Sequence, residues 1–477
     1  MIYRPFGTTG KDVSLIGVGT SRLSPEPSQF SENVDLILNA VELGINFFDT
    51  APTYAAGVSD KILGAAFSQL RGNSFYVSTK SMLSMDADSD SVRKRVDSAL
   101  KTLHIEKINF FHMWSILNIE QYRKIMAPGG PYEGVLKAKE ERQIEHICFS
   151  AHCDGLEISQ ILDENFFDGV LLGFNVLNYK HRLSGIQKAG EKKIGVAIMN
   201  PLGGGMIPSN PEYFNFLEFN GNSIIENALQ FIAAHNAVST ILIGIKNKRD
   251  LTEAITAISK ESSYSEKQWY QKISSAPEPK EPLCTLCNYC SGCPAGLKVD
   301  KLMGIYNEYI LSSYNESHFF EYNKMFLNLS SVDVIPCVKC GKCESVCTQH
   351  LPIIKRFDIW NSVLKKENDK LKAILEYYFP NTGYPKTGIY GLSLDAENLM
   401  NASLAFYGHL PADIAFFDSN SAKWGNKILG TEHIIHPPLM IRKLGIKRIL
   451  ITARKYAKEI SEYLKDYIEE GTAIEAL

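Results

Sequence analysis

The stretch NVDLILNAVELGINFFDT, residues 33–50, decides the fold. Val34, Ile37, Leu38 and Val41 recur at the three-to-four spacing of one helix face. Gly44 interrupts that pattern, and Asn46–Asp49 then reads as a short strand ending on a carboxylate. A helix followed at once by a buried strand is half of a βαβ unit.

The same alternation extends in both directions. Strand candidates fall at Leu15–Gly19, Asn46–Asp49, Phe75–Thr79, Asn109–Met113, His146–Ser150, Val170–Asn175, Gly195–Asn200 and Thr240–Gly244. Between them lie segments with helical spacing, such as SVRKRVDSALKTLH (91–104) and SIIENALQFIAAH (223–235). Eight strands with intervening helices in this length have the rhythm of a (β/α)8 TIM barrel. An open doubly wound sheet shows the same alternation and stays as the alternative.

The chain has 477 residues, which at roughly 150 per domain predicts about three domains. Residues 1–270 are the expected barrel and 271–283 a linker, centred on ISSAPEPKEP (273–282). Residues 284–365 form a cysteine module whose halves are joined by a helical connection from Val299 to about Leu327. Residues 368–477 form a small α/β unit, with strand candidates at Thr387–Tyr390, Ile414–Phe417 and Arg448–Ile451 and a helix near Ala453–Tyr467. In GIYGLSLDAENLM, a strand, a turn at Gly391 and a helix start give a Rossmann-like half-unit, with Asp418 ending the next strand. Gly391-x-Ser393-x-x-Ala396 is a degraded form of the glycine fingerprint.

Hydrophobic residues make up 45% and charged residues 22%, as in ordinary globular proteins, and the net charge is −3. Neither a nucleic-acid nor a membrane-surface partner is expected from that charge. The first residues, MIYRPFGTTGKDVSLIGVG, lack a signal-peptide pattern, and no run of 18 apolar residues occurs. The expected location is the cytoplasm.

Eight of the ten cysteines fall in two motifs, Cys284-x2-Cys287-x2-Cys290-x2-Cys293 and Cys337-x2-Cys340-x2-Cys343-x3-Cys347. The second has the bacterial ferredoxin spacing, in which three close thiolates hold one four-iron cube and the fourth reaches the other. That logic predicts two [4Fe-4S] clusters. Cys284, Cys287, Cys290 and Cys347 hold one, and Cys337, Cys340, Cys343 and Cys293 the other. Paired zinc sites also use CxxC pairs but rarely chain four cysteines so tightly. The first motif has x2 where x3 is usual, and Thr348 stands where proline is usual. Cys148 and Cys153 lie outside the module and read as buried, inert thiols.

YRPFGTTGKDVSLIGVGT, NFFDTAPTYAAGVSDKILGAAF, VSTK and NFFHMW resemble the aldo-keto reductase family, as do NPLGGG (200–205) and ILIGIKNKRDLTEA (241–254). The order of barrel, CTLCNYCSGCP and CVKCGKCESVCTQHLPI is similar to the subgroup with a ferredoxin tail, where the x2 spacing is normal. The resemblance implies a catalytic set of Asp49, Tyr54, Lys80 and His112, with Tyr54 as proton donor. Lys80 would lower the Tyr54 pKa, Asp49 would hold Lys80, and His112 would bond the substrate oxygen. It implies a nicotinamide cofactor contacted by Ser150, Asn175 and Asn200, with its phosphate near Gly244, Ile245 and Lys246. Lys246, Lys248 and Arg249 suit a ribose 2′-phosphate, which favours NADP over NAD. The family's strand-six glutamine corresponds to an apolar position near Leu171, and its asparagine after Glu253 is Ala254.

The expected function is oxidation or reduction of a small carbonyl or alcohol, with the clusters relaying electrons to a redox partner protein. The alternative is a non-catalytic electron-transfer or redox-sensing protein with the barrel as scaffold. The carboxy-terminal unit is somewhat similar to small domains attached to sugar-nucleotide and polysaccharide enzymes.

Overall fold

The computed structural model describes residues 1–70, 75–259, 264–274, 281–327, 334–379, 386–411, 413–428 and 431–477. Residues 275–280 of the expected linker lie outside the described residues, and residues 271–274 end the helix Glu266–Ser274. The chain divides into two compact units, Met1–Thr285 with Val346–Leu351, and Leu286–Ser345 with Pro352–Leu477.

The first unit begins with an antiparallel hairpin of β1 (Tyr3–Pro5) and β2 (Asp12–Ser14). Eight parallel strands follow: β3 (Ile16–Gly19), β4 (Phe47–Asp49), β5 (Tyr76–Met82), β6 (Ile108–Ile116), β7 (Ile144–Ala151), β8 (Gly169–Gly173), β9 (Gly195–Met199) and β10 (Thr240–Gly244). They pair in chain order, and β10 closes on β3, so the sheet is a barrel and the open alternative is excluded. In the helix Phe30–Glu42, Val34 and Ile37 of the expected stripe are buried together with Leu36 and Ala40, whereas Leu38 and Val41 are half-buried at its edge.

The bottom of the barrel is sealed by the hairpin. Phe6 and Val13 pack with Phe47, Phe110, Cys148, Leu171, Ala197 and Leu242 from the strands. The Phe6 ring lies 4.4 Å from that of Phe110, centroid to centroid. A Cβ on Gly195 would meet the Phe6 ring at 2.2 Å, and one on Gly169 at 2.5 Å, so these two strand positions have room for hydrogen alone.

In the second unit the expected single helical connection is two helices, Val299–Leu311 and Glu316–Leu327. Ser313 and Tyr314 between them are left-handed, with φ of 56° and 61°, which no helix continues through. Further along, β11 (Thr387–Tyr390), β12 (Ile414–Phe417), β13 (Ile435–His436), β14 (Arg448–Ile451) and β15 (Ala473–Ala476) form a parallel sheet ordered β13-β12-β11-β14-β15. The first strand in the middle, with the chain winding outward both ways, is the doubly wound arrangement. One face packs Ile389, Phe416 and Leu450 against Leu371, Leu375 and Tyr378 of the helix Ile353–Tyr378. The other packs Tyr390, Phe417, Ile449 and Ile451 against Ile441 and Leu464. Residues 365–368 lie inside the 26-residue helix, which runs on to cover the sheet. Among the described residues no helix is long and apolar enough to cross a membrane.

The Phe6 plug makes a prediction. Gly195→Ala should destabilise the protein by about 1–3 kcal/mol through overpacking. The same change in a Phe6→Leu background should cost less, and denaturation midpoints of the four proteins measure the difference.

Candidate functional site

Side chains alternate faces along a strand, so residues two apart share one. Phe47, Phe110 and Cys148 belong to the apolar layer at the barrel bottom. Two residues later on the same strands come Asp49, His112 and Ser150, all buried. The polar layer of the barrel therefore sits directly above the sealed one, toward the carboxyl ends of the strands, where such barrels keep their chemistry.

Pairing between strands brings these residues together. Asp49 lies opposite Ser78 across β4 and β5, and Lys80 lies opposite His112 across β5 and β6. Lys80 is inside a seven-residue strand rather than just after it, because β5 extends through Ser81 and Met82. Its ammonium is fully buried and lies 2.5 Å from Asp49 Oδ1 and 2.8 Å from the Thr50 carbonyl oxygen. Ser78 Oγ donates to the same Asp49 oxygen at 2.7 Å. Burial pulls the Lys80 pKa down, and the Asp49 charge opposes the fall.

Tyr54 opens the short turn Tyr54–Gly57 after β4. Lys80 Nζ lies 4.9 Å from the centre of its ring, and the Trp114 ring meets it edge-on at 5.7 Å. Ala55 and Ala56 after it are both left-handed, with φ of 49° and 52°, a conformation that costs alanine roughly 1–2 kcal/mol each. The strained turn folds the chain back over the rim and carries Tyr54 to Lys80.

His112 is fully buried, and neither ring nitrogen makes a well-formed hydrogen bond. Burial first, and the Lys80 charge second, hold its pKa down to about 3, against a weaker opposing contribution from the Phe149 backbone. It is therefore neutral at physiological pH, with one nitrogen free to donate. Ser150 Oγ is likewise buried without a partner. Buried polar groups left unpaired cost about 1–3 kcal/mol each, and a polar ligand at the barrel mouth would satisfy both.

The remaining cofactor candidates divide. Asn175 is buried and locked in place: Nδ2 donates to the Asn200 carbonyl oxygen at 2.8 Å and Oδ1 accepts from Leu177 N at 2.9 Å. Asn200 is exposed and left-handed at the end of β9. Ile245 is buried, whereas Gly244, Lys246, Lys248 and Arg249 are exposed. At the start of the helix Lys248–Ser259, Lys246 N donates to Asp250, and the amides of Arg249 and Asp250 donate to Asn247. Arg249 pairs with Glu253 at 2.6 Å, which leaves Lys246 and Lys248 as the uncommitted cations of the trio. Thr50, Ser78 and Asp60 were not singled out from the sequence. Thr50 Oγ1 donates to Asp60 at 2.6 Å, and burial raises the Asp60 pKa. The one sequence signal was Ser78, two residues before Lys80 and so on the same strand face.

No disulfide joins any of the ten cysteines, all of which lie among the described residues. Cys148 and Cys153 are buried, and burial pushes the Cys148 thiol well up and that of Cys153 to about 12, so both are inert. In the second unit Cys293, Cys337, Cys340 and Cys343 line one pocket with Cys290, walled by Pro294, Val299, Val338, Ile354 and Phe357. Leu286, Asn288, Gly292, Lys339 and Gly341 all have positive φ, which curls the loops between the cysteines. Lys339 N lies 3.4 Å from Cys337 Sγ, and in the first unit Leu351 N lies 3.4 Å from Cys347 Sγ. Curled loops, backbone N–H groups on sulfur and an apolar wall around thiols fit an iron–sulfur cube.

Lys80→Met should leave the Asp49 carboxylate buried without its cation. The expected cost is about 3–5 kcal/mol of stability, and the Asp49→Asn/Lys80→Met double variant should recover part of it, as read from denaturant unfolding.

The aldo/keto reductase family model matches residues 15–274, and that of a 4Fe-4S dicluster domain matches residues 283–351. L-galactose dehydrogenase of Arabidopsis thaliana is 26% identical over 285 residues, covering 54% of this chain and 87% of that protein. NADH-specific methylglyoxal reductase of Escherichia coli is 25% identical over 226 residues, covering 43% and 68%. An aldo-keto reductase from Bacillus halodurans in its holo form superposes with a TM-score of 0.51 at 18% identity, over 59% of this chain and 98% of that one. The chain belongs to the aldo/keto reductase family, as an oxidoreductase whose barrel is followed by an iron–sulfur dicluster module.

Proposed function

We propose that the barrel, residues 1–270, interconverts a small carbonyl compound and its alcohol with a nicotinamide cofactor, NADP(H) in preference to NAD(H). We further propose that the module at 284–365 relays electrons one at a time to or from a redox partner protein, as a path separate from the two-electron hydride transfer of the barrel. The observation that carries the first reading is the fully buried Lys80–Asp49 pair beneath the Tyr54 ring.

A free phenol, with a pKa of about 10, is a poor acid at neutral pH. The Lys80 ammonium stabilises the Tyr54 phenolate, so Tyr54 gives its proton to the substrate oxygen more readily. Asp49 and the Thr50 carbonyl keep Lys80 charged against its burial. Neutral His112 donates a second hydrogen bond to the same oxygen and orients the carbonyl. In the reverse direction Tyr54 takes the hydroxyl proton. A reduced nicotinamide, when bound, would supply the hydride to the carbonyl carbon. Ser150 and Asn175 would orient its amide, while Asn200, Gly244 and Ile245 would border it. Lys246 and Lys248, with Arg249, would pair with the 2′-phosphate.

Two [4Fe-4S] clusters held by the cysteines of the module would supply one-electron transfer. Cys337, Cys340, Cys343 and Cys293 would hold one, and Cys284, Cys287, Cys290 and Cys347 the other. The pocket around Cys293, Cys337, Cys340 and Cys343 supports the first set, and the spacing in the sequence supports the second.

Tyr54→Phe should lower NADPH-dependent carbonyl reduction by roughly 10²–10⁴-fold with cofactor binding nearly intact. Unchanged turnover would remove Tyr54 from the mechanism. Anaerobically purified protein should be brown and hold close to eight irons and eight sulfides per chain, the content of two cubes. Stoichiometric zinc without visible absorbance would sink the cluster reading.

A further inference from the structure

We propose that Asp154, His181 and His350 form a site for one divalent transition-metal ion of the zinc type, distinct from the cysteine clusters and from the barrel-mouth chemistry. All three belong to the first unit. Asp154 follows β7 and opens the helix Gly155–Asp163. His181 lies in the first turn of the helix Tyr179–Glu191, and His350 lies in the segment Val346–Leu351.

One donor atom from each of the three lies within 4.8 Å of the other two. His350 Nε2 is 2.7 Å from Asp154 Oδ1, and the two imidazole rings are 4.9 Å apart between centroids. Both histidines are exposed, so an ion can reach them from solvent. Two borderline imidazoles, with one hard carboxylate, select zinc and its first-row neighbours over magnesium or calcium. Metal–ligand distances of 2.0–2.2 Å imply tetrahedron edges of roughly 3.4 Å. Side-chain rotation of about 1 Å at two exposed imidazoles closes that difference. Water takes the open fourth position.

The carboxylate is already held for this task. Arg182, 2% exposed, donates to Asp154 Oδ1 at 3.1 Å, to the His152 carbonyl at 2.6 Å and to the Thr348 carbonyl at 2.8 Å. One buried guanidinium thus fixes both Asp154 and the backbone two residues before His350, a chain segment 166 residues away. Partners of this kind orient ligands in metal sites. Glu157, which accepts from Asp154 N at 3.3 Å, adds a second negative charge beside the Arg182 cation. Burial, and next the charge that His350 would carry, lower the His181 pKa and favour the neutral imidazole that binds metal. Binding replaces the His350–Asp154 hydrogen bond with two metal bonds.

The test uses the full-length, cluster-loaded protein under anaerobic conditions, titrated with Zn²⁺ by calorimetry, with iron and zinc counted after desalting. One zinc per chain is expected, with the iron content unchanged. Co²⁺ in its place should give intense tetrahedral d–d bands. The His181→Ala/His350→Ala variant, whose changes are at the surface, should keep its iron and its metal-free melting temperature. Its zinc affinity should fall about 100-fold or more, as expected for a site that loses two of its three protein ligands. No zinc uptake by the wild type overturns the proposal and leaves the three residues as a hydrogen-bonded clasp. Equal uptake by the double variant overturns it too, as does uptake matched by loss of iron, which places the zinc on the cysteines.

Discussion

The fully buried Lys80–Asp49 ion pair is the interaction on which the rest of the barrel depends. Moving two charges out of water costs several kcal/mol each, and only near-ideal geometry and further hydrogen bonds offset that cost. Both conditions are met by backbone, through the Thr50 carbonyl and the register that puts Ser78 beside Asp49. That register exists because β4 and β5 are adjacent in a closed barrel. The barrel in turn keeps water out from below because Phe6 fills its base against two glycines. The pair then sets its neighbours. Lys80 lies against the Tyr54 ring, and its charge helps to hold His112 neutral.

The cysteine module works on a different constraint. A cube needs thiolates converging from a short piece of chain, which forces the intervening residues into left-handed turns. Gly292 and Gly341 adopt that conformation without strain, whereas Leu286, Asn288 and Lys339 do so at a cost. Bonds from the cysteine sulfurs to bound iron would offset that cost, which is how these loops would differ from the Ala55–Ala56 turn. There the compensation comes from the packed barrel rim. In both places non-glycine residues at positive φ coincide with the residues assigned to chemistry.

Much of this was legible in the sequence, with identifiable gaps. The eight barrel strands were readable because buried parallel strands leave apolar runs bounded by helix signals. Lys80 reads as lying beyond its strand because VSTKSM offers no apolar alternation, although the strand continues to Met82. The connection at 299–327 reads as one helix, and only the left-handed Ser313 and Tyr314 reveal two. Two residues at β13 and four half-exposed ones at β15 carry no pattern to detect. The expected boundary at 365–368 vanished because Leu371, Leu375 and Tyr378 extend the helix to cover a sheet that begins later in the chain.

The sequence by itself determined that Asp49 shares a strand face with Phe47, His112 with Phe110 and Ser150 with Cys148, and it determined the spacing of the cysteines. Both follow from local covalent geometry, which a neighbouring residue cannot change. The tertiary structure alone decided which groups lost their water. The low pKa of His112, the unpartnered Ser150 hydroxyl, the Phe6 plug and the convergence of Asp154, His181 and His350 all come from contacts between distant segments. Desolvation depends on everything packed around a group, and no single stretch of chain contains that information.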